Sequence, residues 1–123
     1  MPHLTVDYSA PLTGTFDSRA LGRDLHRITE KAVGAQVAGC KTVLRPIQDG
    51  VIADGDEDVD MVHVDVAIHA GRTREAKAEL AAGVLASLKE RLAARPGRRL
   101  HLSAHVSELD PATYVSHKLQ ASA

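Results

Sequence analysis

Pro2 is the residue in this 123-residue chain with the shortest route to chemistry. Bacterial aminopeptidases generally remove an initiator Met that precedes a small residue such as Pro. Its loss leaves a secondary amine where a peptide nitrogen stood. The alternating segment His3-Leu4-Thr5-Val6-Asp7-Tyr8 follows at once and reads as a strand able to pin that amine in an apolar pocket. There desolvation disfavours the cation, and the amine works as a general base near neutral pH. Met-Pro openings are also common without any such use, so the surroundings must support the reading.

The other reactive side chains carry less. His63, His69, His101 and His105 are of ligand type, but His101 and His105 stand four apart on an alternating segment, too far along a strand to chelate together. A hydrogen-bonded network at an oligomer interface is expected for them, with no metal. Asp54-Gly55-Asp56-Glu57-Asp58 lacks the terminal bidentate Glu of a calcium loop and reads as an exposed acidic turn. Cys40 is the only cysteine, so no intrachain disulfide forms. Lys41 beside it favours the thiolate while strand burial opposes it, and Cys40 is assigned no role. Tyr8 and Tyr114 are expected at packing or rim positions. The chain has no Gly-rich phosphate loop, nucleophile elbow or paired-Cys motif.

These residues need a scaffold, and the patterning supplies one. Hydrophobic residues at 44% and charged residues at 25% suit a single globular domain over residues 1–123. One Phe, two Tyr and no Trp leave an aliphatic core. A net charge of -1 without a long basic run argues against nucleic acid or a membrane surface held by charge. Neither a signal peptide nor an apolar run of about 20 residues is present, so a cytoplasmic protein is expected.

Leu21, Leu25, Ile28 and Ala32 form one apolar stripe and predict a helix over residues 17–34, capped by Asp17 and stopped at Gly34. Leu80, Val84, Leu88 and Leu92 predict a second, beginning at Thr73 and ending before Pro96-Gly97. Strands are expected at 4–8, 40–47, 61–69 and 100–106, with a loop at 48–60. The Val-Asp alternation near Leu4 returns near Val64, which makes two pseudo-repeats, about residues 1–50 and 60–110. Two β-α-β units give a four-stranded sheet with both helices on one face and right-handed crossovers. The other face carries Thr5, Asp7, His63, Asp65, His69, His101, Ser103 and His105, with His3 at its edge.

Met1-Pro2-His3, Ala53-Asp54-Gly55, Val62-His63, Ala70-Gly71-Arg72 and residues 100–111, which end in Ser107-Glu108-Leu109-Asp110-Pro111, occur in an order and spacing that resemble the 5-carboxymethyl-2-hydroxymuconate Δ-isomerase family of the tautomerase superfamily. The resemblance spans nearly the whole chain. It implies an α+β, tautomerase-like β-α-β-β-α-β fold with a four-stranded mixed sheet, assembled as a homotrimer with one pocket per N-terminal proline near a subunit boundary. It also implies isomerisation without a cofactor in aromatic-compound breakdown, moving a proton on a small unsaturated 2-hydroxy or 2-oxo (di)carboxylate.

In that reading Pro2 is the general acid/base, and Arg72, after Ala70-Gly71, grips a carboxylate or the developing dienolate through two parallel bonds. The second strand departs from the family pattern. Lys41 stands where the first of two arginines belongs, and Val43 replaces the other. Lys keeps the charge but loses the planar fork. Arg45, on the same strand face, is expected to compensate in part, and His3 to orient substrate or line the interface. Two alternatives stay open: a different reaction of the superfamily, phenylpyruvate-type tautomerase or hydratase, and a non-enzymic trimeric domain that binds a small acid.

Overall fold

The computed structural model describes residues 1–55 and 58–122. β1 (His3–Ser9) leads through a 3-10 turn, Ala10–Leu12, into α1 (Ser18–Val33). A second 3-10 turn, Val37–Gly39, delivers the chain to β2 (Lys41–Ile47). β3 (Val59–His69), α2 (Arg74–Arg91) and β4 (Arg99–Leu109) repeat the plan. The sheet order is β2-β1-β3-β4. β1 and β2 are parallel, as are β3 and β4, while β1 and β3 meet antiparallel at the centre. The sheet is therefore mixed, with each β-α-β unit forming one half.

The expected caps hold the first helix. Asp17 accepts from the Ala20 N–H at 3.0 Å, and Gly34, at φ 71°, donates to the Glu30 carbonyl at 2.9 Å. Leu4, Val6 and Tyr8 of β1 and Val62, Val64, Val66 and Ile68 of β3 all face inward. Leu21 and Leu25 of α1, with Leu80, Val84 and Leu88 of α2, close over them. Each of these side chains is almost wholly withdrawn from water, and such burial stabilises by roughly 1.5–3 kcal/mol per large aliphatic residue. The helices meet closely at Gly83, where a Cβ would stand 2.8 Å from Ile28 Cγ2.

The outward face carries its polar residues in cross-strand pairs. Asp65 lies opposite His105 and His63 opposite Ser103, and both pairs are bonded, at 2.9 and 2.7 Å. Ser107 adds a bond to Asp65 at 2.9 Å. Among the described residues no three His, Cys, Asp or Glu side chains are grouped to hold a metal, and no helix is long and apolar enough to cross a membrane.

α2 ends before Pro96, as expected: it stops at Arg91, and Leu92 caps it in an extended conformation, buried. Two expectations are corrected. β4 runs on to Leu109. The loop expected over 48–60 ends sooner, because Val59 and Asp60 open β3 and are 5% and 2% exposed. An aspartate in an Asp-rich stretch reads as solvated. Here Arg95 reaches the Asp60 carboxylate at 2.7 and 3.0 Å, and Arg98 at 3.3 and 3.1 Å. Two guanidinium forks replace the lost hydration, and the carboxyl is held below its usual range by the Arg95 bonds first, with burial opposing. Of the acidic turn, Asp54, Gly55 and Asp58 are exposed, while Asp56 and Glu57 lie outside the described residues.

Candidate active site

Pro2 is buried at the edge where β1 meets β2, and its carbonyl accepts from the Lys41 N–H at 3.1 Å. The β1–β3 register pairs His3 with Ala67, so two residues further on Met1 stands opposite His69. The Met1 amine and His69 Nε2 are 2.8 Å apart. Here a cavity of about 280 Å³ opens, lined by Met1, Pro2, His69, Arg72, Lys118 and the backbone wall that includes Gly34, Ala35, Gln36, Ala38 and Gly39. Met1 Sδ would lie 3.0 Å from a Cβ on Gly39, so the methionine side chain packs closely against this glycine.

Arg72 follows Gly71, whose φ of 112° turns the chain from β3 toward α2. Its Nε donates to the Val33 carbonyl at 3.3 Å and a terminal nitrogen to the His69 carbonyl at 3.2 Å. Val33 ends α1, where carbonyls lack helical partners and a cation is favoured. The guanidinium is thus tied along one side by the backbone and lines the cavity.

Lys41, exposed at the start of β2, stands beside the cavity rather than in its lining. Among the described residues Arg72, Lys41 and Lys118 have no acidic partner.

The electrostatics follow from that. The terminal amine is pushed below its ordinary value, by burial first and then by Lys41 and Arg72, with Lys118 adding and Cys40 opposing. His3 is lowered by burial, then by Lys41, the terminal amine and His69. Its Nε2 lies 2.8 Å from the Tyr114 hydroxyl. The Tyr114 ring stands edge-on to both His3 and His69, at 5.7 and 5.4 Å between centroids. For Cys40 burial prevails over the nearby cations and raises the thiol pKa, which leaves it a poor nucleophile.

Of the residues singled out by sequence, Pro2 and Arg72 share the cavity, while Lys41 and His3 flank it. Arg45 is not brought there. Strand alternation does put it on the Lys41 face, but four residues at about 3.3 Å each carry it some 13 Å along β2. Its register partner on β1 is Asp7, which it grips at 2.8 and 3.1 Å. The expected compensation by Arg45 is therefore absent within one chain.

Two residues lie at the site that the sequence does not single out for it. His69 groups with the outward histidines, although its place at the end of β3, opposite the chain start, is a usable signal. Lys118 carries no signal, because it arrives on a segment without periodicity, while Tyr114 takes a packing position, as expected.

The model of one family, 5-carboxymethyl-2-hydroxymuconate isomerase, matches residues 2–121. A 5-carboxymethyl-2-hydroxymuconate isomerase structure from Deinococcus radiodurans R1 superposes with a TM-score of 0.79 at 27% identity, over 96% of this chain and 90% of that one. A 5-carboxymethyl-2-hydroxymuconate delta-isomerase structure gives 0.75 at 23% identity, over 96% and 88%. A fused 4-OT wild-type symmetric trimer shares the fold with a TM-score of 0.73 at 22% identity, over 95% and 94%. No curated protein matches.

Proposed function

The chain belongs to the 5-carboxymethyl-2-hydroxymuconate isomerase family and is an isomerase, and from that premise we propose that it shifts a double bond in a small unsaturated 2-hydroxy or 2-oxo (di)carboxylate with Pro2 as acid/base. The observation that carries the reading is the position of Pro2. It is buried in a cavity wall, next to the Met1 amine, which is held below its ordinary pKa by burial and then by Lys41 and Arg72, neither of which has an acidic partner among the described residues.

Loss of Met1 converts the Pro2 nitrogen from an amide into a secondary amine and vacates the space against Gly39. In the neutral form that nitrogen takes a proton from the carbon beside the unsaturated oxo group. The electron pair moves through the conjugated system to the oxygen, forming a dienolate. Arg72 and Lys41 bind carboxylate and stabilise that charge as it develops. The protonated Pro2 then returns the proton at the far carbon. One proton and one double bond have moved, and nothing else is consumed, so the reaction closes without a cofactor. His3, bonded to Tyr114 and held toward its neutral form, orients the substrate without adding a competing cation.

A homotrimer fits the outward sheet face, where Val43 is 56% exposed among polar cross-strand pairs, and a trimer is found among the structures that share the fold.

The test begins with mass spectrometry of the N-terminus, which should show Met1 absent. kcat/KM with a 2-hydroxymuconate-type diacid should rise with pH through an inflection below the range of about 7.7–8.0 usual for an α-amino group. Pro2→Ala should lower kcat by roughly 10²- to 10⁴-fold. Unchanged turnover in that variant would remove proline from the mechanism. Faster turnover of a monocarboxylic aryl enol than of the diacid would favour a phenylpyruvate-type tautomerase.

A further inference from the structure

The C-terminal segment is the last part of the chain to reach the cavity, and beyond the Tyr114 bond to His3 the reaction above makes no use of it. After β4 ends at Leu109, Asp110 builds a turn. Its carbonyl accepts from the Thr113 and Tyr114 N–H groups at 3.0 and 2.9 Å, and its carboxylate accepts from the Ala112 N–H at 2.9 Å. The turn sends Tyr114 back over the start of β1, where its hydroxyl meets His3 and its ring abuts His69. Four residues later Lys118 lines the same cavity as Pro2 and Arg72. It is exposed and has no acidic partner among the described residues.

Charge and volume together define what the cavity accepts. Two cations without acidic partners among the described residues, Arg72 and Lys118, line a cavity of about 280 Å³ with Met1 in place. One carboxylate matches only one of them. A small acid with two carboxylates matches both, with one end toward Arg72 and the other toward Lys118. The two cations come from different parts of the chain, Arg72 from just after β3 and Lys118 from the C-terminal segment, and both line the one cavity.

We propose that Lys118, held over the cavity by the Tyr114 anchor, is a specificity-determining residue that binds a second carboxylate of the substrate, so that the site selects dicarboxylates over monocarboxylates. This rests on the reaction proposed above and assigns the discrimination to one side chain.

The experiment separates the two. Adipate and hexanoate, unreactive acids of equal length, are titrated calorimetrically into the Met1-free protein and into its Lys118→Ala, Lys118→Arg and Tyr114→Phe variants. Wild type should prefer adipate. Lys118→Ala should reduce the adipate-to-hexanoate affinity ratio by about tenfold, as expected for loss of a charge-assisted bond. Lys118→Arg should restore it. Tyr114→Phe, which keeps the ring and loses the bond to His3, should give an intermediate ratio. With a reactive diacid, Lys118→Ala should raise KM more than it lowers kcat.

A ratio unchanged in Lys118→Ala, equal weakening of both acids, or no adipate binding by wild type overturns the proposal. Absence of turnover with a Lys118-dependent ratio would instead refute the proposed reaction and leave this role standing. Pro2-dependent turnover with an indifferent ratio would do the reverse.

Discussion

The two ends of the sheet treat charge in opposite ways. At the far end of β3, Asp60 is buried and both of its oxygens are held by Arg95 and Arg98, so both cations there have an acidic partner. At the near end, Arg72 and Lys118 line a cavity and Lys41 stands beside it, and none of the three has an acidic partner among the described residues. A larger cavity, about 610 Å³, also lies at the far end, yet Asp60 and Arg98 in its wall are already bonded to one another. Cavity size therefore does not locate the site. Unspent charge does, because cations without an acidic partner leave their counter-charge for a ligand to supply. The shifts differ in cause: paired arginines hold the Asp60 carboxyl low against burial, while burial first, and then Lys41 and Arg72, hold the terminal amine low.

The sharpest way to break this comparison is to truncate one arginine at the near end. Arg72→Ala should lower kcat/KM with an unsaturated diacid by roughly 10²- to 10³-fold, as for loss of a positioned charge-stabilising donor. Its melting temperature should fall only slightly, through loss of the bond to the α1 C-terminus. A large melting shift with little kinetic change would recast Arg72 as a helix cap.

Asp60→Ala should do the opposite. It should cost about 2–3 kcal/mol of stability, discounted for the partly solvated arginines, with turnover per folded molecule unchanged in denaturation and active-site titrations. Lys41→Ala should lower kcat/KM by about tenfold, and Lys41→Arg should match or exceed wild type, since the fork suits a carboxylate better.

Acid should expose the far end selectively. Asp60 and Asp24 both have lowered folded pKa values, Asp24 chiefly through its bond from Ser87. Their contribution is complete above the usual carboxylate value of about 3.9 and is lost as pH falls through the folded values. Denaturant midpoints measured downward from pH 5 should drop, and less so in Asp60→Ala. The smallest effect is expected at Arg45→Ala. Its pair with Asp7 is solvent-exposed and distant from the cavity, so neither melting temperature nor kcat/KM should move measurably.

Much of the fold could be read directly. Alternation at Val62, Val64, Val66 and Ile68 and the stripe at Leu21, Leu25 and Ile28 each repeat a local geometric period, and their segments took the predicted form. Asp17 and Gly34 act within one turn of their own position, so their caps were legible too. Asp60 was not, because its burial depends on arginines 35 and 38 residues away. Arg45 misled for the same reason: its face was right, but its partner on β1 follows from register. His69 needed the antiparallel pairing of β1 with β3 before it could be set beside the chain start.

The sequence by itself determined the two β-α-β units, their apolar faces, the caps of the first helix and the prominence of Pro2. These rest on periodicity and on the chemistry of single residues, which act at short range. Only the tertiary structure decided which charges are neutralised. It closed Arg95 and Arg98 on Asp60, withdrew Arg45 to Asp7, and brought Lys118 across from the far end of the chain to the cavity that holds Pro2 and Arg72. Charge pairing depends on distances of a few ångströms between residues far apart in sequence, and strand register and chain reversal set those distances.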